Sequence, residues 1–222
     1  VAGKLYGLTF TELKDMPVYN AEVKVFEVKE KDGRHLGLLY TDYHPRPGKR
    51  GGAWCGSLRP ARDHHKINPV ATNVCNFTRP TADKPALLTP DEVRTLFHEF
   101  GHAIHGLFYA GQYRSLGGAP RDFVELPSQI MENWSMEPEV LKLYATHYQT
   151  GEIIPAALVE RMKKAGTFGE GFATTEYMAA SLLDLDWHTL TDTKVQDVNA
   201  FEKASLDKWG LIPEIPSRYR TP

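Results

Sequence analysis

The sequence predicts an α+β fold, mainly α-helical, in which a small β-sheet comes first and a run of helices follows. Three observations carry this reading. The apolar residues before residue 80 fall in short extended runs, a strongly capped amphipathic helix opens at Thr89, and the later segments are helical stretches separated by Gly or Pro.

Taken in order, Val23, Val25, Phe26 and Val28 form an extended run. Lys31-Asp32-Gly33-Arg34 supplies an Asp-Gly turn, and Leu36-Gly37-Leu38-Leu39-Tyr40 returns, which predicts a β-hairpin. The stretch from His44 to Gly56, dense in Gly and Pro, reads as a loop. Pro69 to Thr78 is a second extended segment. Thr89-Pro90-Asp91-Glu92 then gives a hydroxyl N-cap, Pro at the first helical position and a carboxylate at N3, the pattern of a capping box. Val93, Leu96, Phe97, Phe100, Ile104, Leu107 and Phe108 follow at three- and four-residue spacing and make one apolar face. Further helices are expected over 122–146, 155–165, 170–191 and 197–209. Residues 1–80 thus form a sheet-containing part and 89–222 a helical part.

With 222 residues, 41% of them hydrophobic, the chain can bury a sizeable core. Its formal charge of -2 gives no electrostatic reason to expect nucleic acid or a membrane surface as partner. No apolar run approaches the ~18 residues that span a bilayer. Only Cys55 and Cys75 are present, so a disulfide framework is not expected and a reducing, cytoplasmic compartment fits. The chain opens on Val1 and stops abruptly after Ser217-Arg218-Tyr219-Arg220-Thr221-Pro222, as expected of a piece of a longer protein.

The capped helix carries His98-Glu99-Phe100-Gly101-His102, an H-E-x-x-H pattern. Histidines four apart lie on one side of a helix, ~6 Å apart, so both imidazoles reach one tetrahedral Zn²⁺. Glu99, one position round the helix, can sit beside the metal without ligating it and accept a proton from water activated there. A catalytic zinc takes three protein ligands and keeps one open position. His105 shares the face of His98, but seven residues of helix rise ~10 Å, too far for a single ion. A metzincin would need a third histidine where Phe108 stands. Glu125 and Glu132, seven apart on the next expected helix, project from one face, so one can bind metal while the other supports a ligand. The residues alone leave open which does which.

His98 to Phe108, followed by Arg121-Asp122-Phe123-Val124-Glu125 and Pro127-Ser128-Gln129, resembles the thimet oligopeptidase and peptidyl-dipeptidase family of zinc peptidases, most of all its bacterial peptidyl-dipeptidase branch. The likeness extends to Asn73-Val74-Cys75-Asn76-Phe77 and to Gly171-Phe172-Ala173-Thr174-Thr175-Glu176-Tyr177, and so over nearly the whole chain. It implies one Zn²⁺ per chain held by His98, His102 and Glu125, Glu99 as general base, and Glu132 as a supporting carboxylate. It further implies a zincin-like catalytic segment with a small sheet beside the H-E-x-x-H helix, and short peptides as substrates, with release of C-terminal dipeptides. An endo-acting oligopeptidase of the same family is the nearest alternative. The family is built on a longer chain, in which an upstream helical region and a downstream segment supplying His and Tyr to the oxyanion complete the enzyme. The remainder of the full-length enzyme is therefore an expected partner, and a zinc-binding segment without activity of its own is the alternative of another class.

Remaining candidates concern substrate. Asn73 to Thr78, with Asn73 and Asn76, is a candidate edge strand for an extended peptide, an internal strand being the rival. Gly117 and Gly118 lie in a loop, Leu116 to Pro120, slightly shorter than the family's. Arg114 and Arg121 border that loop and suit a substrate carboxylate, with ordinary ion pairing as the rival. His64-His65 reads as a solvated loop, and Asp184 with His188 as a structural i,i+4 pair.

Overall fold

The computed structural model describes residues 1–61, 67–111, 113, 116–192, 194, 197–212 and 214–215. His64, His65 and Arg114 lie outside the described residues. The chain divides into two units, Val1–Ile154 and Pro155–Pro222.

In the first unit a short helix, α1 (Ala2–Tyr6), precedes strands β1 (Thr9–Leu13), β2 (Lys24–Lys29), β3 (His35–Asp42), β4 (Trp54–Arg59) and β5 (Val70–Val74). They form one sheet of order β1-β2-β3-β5-β4, in which β3 and β5 are parallel and the other pairs antiparallel. The expected hairpin is β2–β3. Gly33 at φ 85 closes its turn, where the Arg34 N–H donates to Asp32 Oδ1 at 2.9 Å.

Two expectations for this sheet are corrected. The loop read over His44–Gly56 ends early, because Trp54–Gly56 already belongs to β4. Where the segment begins, at Asn73 and Val74, it is no edge: β5 is paired on both sides, to β3 and to β4, and the free edge on this side is β4.

Helix α2 (Pro90–Leu107) lies on the sheet. Thr89 caps it as expected: its hydroxyl accepts from Glu92 N at 3.2 Å and Glu92 Oε2 accepts from Thr89 N at 2.8 Å. Glu92 also accepts from Thr78 N at 2.6 Å, which ties the helix start to the chain leaving β5. Ala103, Ile104 and Leu107 bury against Val28, Leu39 and Ala71 of the sheet and against Met131. Burial of that stripe fixes the rotation of α2 and turns the histidine side toward the free edge. The other face of the sheet carries a smaller cluster of Val23, Val25 and Tyr40.

The single helix expected over 122–146 is broken. It consists of α3 (Leu126–Glu132), a 3-10 turn (Asn133–Met136) and α4 (Pro138–Tyr144). Glu137, which precedes Pro138, is extended at ψ 132, because the proline ring excludes the helical conformation from the residue before it. The second unit holds α5 (Ala156–Gly166), α6 (Glu170–His188) and α7 (Val198–Lys208). Helices α6 and α7 share a core of Ala179, Leu183, Leu206 and Leu211, with Trp187 packed on Phe201 at 3.9 Å between ring centroids. His188 Nδ1 lies 3.4 Å from Asp184 Oδ1 on an exposed face, a local i,i+4 contact.

Candidate metal centre

One turn of α2 separates His98 from His102, and their rings stand 4.9 Å apart at 82°. Glu125 approaches from the N-cap of α3, where its Oε2 lies 3.2 Å from Nε2 of each histidine. Among the described residues these three form the one group of His, Cys, Asp or Glu side chains whose ligand atoms all lie within 4.8 Å of one another. Ser128 holds the carboxylate in place. Its hydroxyl lies 2.8 Å from both Glu125 Oε2 and Glu125 O, and it holds the Glu125 carboxyl below the usual carboxylate range, with burial opposing and the two histidines assisting.

Glu132, the last residue of α3, accepts a hydrogen bond from His98 Nδ1 at 2.7 Å. With Nδ1 engaged by Glu132, Nε2 is the ring atom of His98 that faces Glu125. Burial lowers the pKa of His102, with the Glu125 carboxylate opposing. Two imidazole nitrogens and a carboxylate oxygen thus converge within 4.8 Å of one another, a donor set of the kind that holds a divalent cation. The residues fit a metal ion.

Glu99, the next residue of α2, is only 6% exposed. Burial raises its pKa; the nearby Glu125 charge adds to this, while His98 and the Cys55 backbone N–H oppose it. Its Oε2 has no hydrogen-bond partner among the described residues. A buried carboxylate oxygen left free beside a metal-ligand cluster is available to a proton that arrives there.

An open cleft of about 1500 Å³ runs past these groups. Edge strand β4 contributes to its lining, as do Gly117, Gly118 and Arg121. His105 also lines the cleft but is not one of the three convergent residues. Asn73 and Asn76 do not contact it. Asn73 is fully buried in the inner strand, and the Asn76 amide donates to Arg50 O at 2.9 Å and Gly52 O at 2.7 Å, bracing the loop before β4. Neither residue is among those that line the cleft, so nothing in its geometry supports their contact with substrate. Sequence reasoning missed Ser128 and β4. The i,i+3 spacing of Glu125 and Ser128 was a local signal for the first; the second depends on strand order, for which no local signal exists.

The chain is 46% identical over 99% of its length to a dipeptidyl carboxypeptidase of Salmonella typhimurium, of which it covers 33%. It is 45% identical over 99% of its length to a dipeptidyl carboxypeptidase of Escherichia coli, again covering 33%, and 40% identical over 85% of its length to oligopeptidase A of Escherichia coli, covering 28%. The chain therefore spans about a third of the length of these relatives. The model of peptidase family M3 matches residues 1–218, and the chain belongs to that family.

Proposed function

We propose that this chain is part of the catalytic domain of a zinc peptidase that hydrolyses short peptides and releases dipeptides from their C-termini. The observation that carries the reading is the convergence of His98, His102 and Glu125 beside Glu99, whose buried Oε2 has no partner among the described residues. Two histidines and one glutamate are a donor set suited to a catalytic zinc. When bound, the ion polarises a carbonyl and lowers the pKa of water to roughly 7.

The chain's own residues do the rest. Glu132 fixes the His98 ring and its tautomer through Nδ1, and Ser128 aims Glu125. Glu99 Oε2 takes a proton from the attacking water and passes it to the leaving amine. The free edge of β4 and the Gly117-Gly118 loop flank the peptide. Zinc removal abolishes turnover in this reading, and Glu99→Gln in the full-length enzyme keeps zinc but loses turnover. Undiminished hydrolysis by a zinc-loaded Glu99→Gln protein overturns the base assignment.

The higher identity to dipeptidyl carboxypeptidases than to oligopeptidase A supports dipeptide release over internal cleavage. Amidating the substrate's C-terminal carboxylate separates the two, since only an exo-acting enzyme loses most of its rate. The His and Tyr expected to stabilise the oxyanion lie in the remainder of the enzyme. The isolated 222 residues accordingly bind zinc but hydrolyse peptides poorly, because loss of a single such donor costs roughly 10²–10³ in rate. Among the described residues no helix is long and apolar enough to cross a membrane, and with two free cysteines we place the protein in the cytoplasm.

A further inference from the structure

The glycine inside the metal motif stands where α2 and α3 touch. A Cβ on Gly101 would lie 2.6 Å from Pro127 O, 2.6 Å from Ser128 Cα and 3.1 Å from Met131 Cγ. The first two are backbone atoms of the first turn of α3, so no rotamer change relieves the contact. Ordinary packing needs about 3.5 Å between such atoms, so a methyl group here drives the first turn of α3 back by close to ~1 Å.

That turn carries the third ligand. Glu125 is the N-cap of α3, and its carboxylate is held by Ser128, the very residue whose Cα the methyl group would strike. Ligand distances in a metal site tolerate only about ±0.2 Å. The other end of α3 is tied as well, through Glu132 on His98 Nδ1. With that end anchored, the displacement of the first turn falls on Glu125.

We propose that Gly101 is a positioning residue for the metal: its lack of a side chain sets the α2–α3 distance that delivers Glu125 to His98 and His102. The inference rests on the zinc reading above. Helix propensity does not account for the residue, because glycine is a poor helix former in a helix interior. The same helix supplies a control in Gly106, where an added Cβ meets nothing within 4 Å.

The test is titration of the 222-residue apo chain with zinc against a competing chelator, for wild type, Gly101→Ala, Gly106→Ala, Glu125→Ala and the Gly101→Ala/Glu125→Ala double variant, with thermal melts of each apo protein. Gly101→Ala weakens zinc about 10- to 100-fold, as expected for loss of ligand support, while Gly106→Ala stays within about threefold of wild type. In the Glu125→Ala background Gly101→Ala adds less than about threefold, because the ligand it positions is gone. Wild-type affinity in Gly101→Ala, or a full additive loss in the double variant, overturns the proposal. So does a Gly101→Ala apo chain without a cooperative melt, which assigns the glycine to the core at large. Failure of the wild type to bind zinc overturns both the proposal and the zinc reading, and is told apart from the other outcomes by the wild-type titration alone.

Discussion

Asp42, at the end of β3, is the centre of a buried ionic node whose contribution to stability can be read from its pH dependence. Arg46 donates to both carboxylate oxygens at 2.7 and 2.9 Å, Lys49 to Oδ1 at 2.9 Å and Tyr19 to Oδ2 at 3.0 Å. Burial raises the Asp42 pKa, but these donors outweigh it and hold the carboxyl at about 2, against 3.8 for a free one. A group depressed on folding stabilises the native state above its unfolded pKa, and the stabilisation is lost as pH falls through the folded one. The node therefore contributes about 2 kcal/mol above pH ~5, of which about half is gone by pH ~3. Asp42→Asn removes the titration and leaves the Lys49 ammonium, only 4% exposed, without its counter-charge, a loss of about 3 kcal/mol or more at neutral pH. Urea unfolding followed by circular dichroism, on wild type and Asp42→Asn at steps from pH 7 to pH 3, gives the difference directly. The gap between the two proteins should narrow by about 1 kcal/mol between pH 5 and pH 3. A gap that stays flat, or widens as the pH falls, refutes the assignment of the depressed pKa to these donors.

Three further outcomes follow from the site and its supports. Glu132→Gln removes the charged acceptor on His98 Nδ1 and should weaken zinc about 10- to 100-fold in chelator competition, with little change in the apo melt. Thr89→Ala opens the capping box of α2 and should cost about 1 kcal/mol in urea unfolding, without altering the stoichiometry of one zinc per chain. Zinc at about 100 times its dissociation constant should stabilise the chain by about 2.7 kcal/mol, and His98→Ala should abolish that increment; an equal gain in the variant would place the ion elsewhere.

The two histidines of the candidate site were legible because bringing two imidazoles to one point is a local demand on spacing, whereas Glu125 as their companion came from the family resemblance. His98 and His102 had to be four apart on a helix, and Thr89 with Glu92 announced where that helix begins. Glu125 and Glu132 reach His98 by a geometry partly different from the one expected. Both were expected on one continuous helical face; instead Glu125 caps α3 at φ -84 and Glu132 ends it, yet seven residues of separation still bring both to His98, one at each ring nitrogen. The helix break before Pro138 was equally present as a local signal, in the conformational limit that proline sets on Glu137. The cleft was not legible. Whether Val70–Val74 lies inside the sheet or at its edge depends on Trp54–Arg59 pairing with it, a choice made by long-range packing and not by anything in either segment. Gly101 belongs to the same class. Read along its own helix it is only a weak link, and its use becomes visible once Pro127 and Ser128, beyond an intervening loop, are seen 2.6 Å from where its side chain would be. Chemistry confined to one turn of helix can be read from spacing, whereas the distance between two helices is decided by residues that neither helix names.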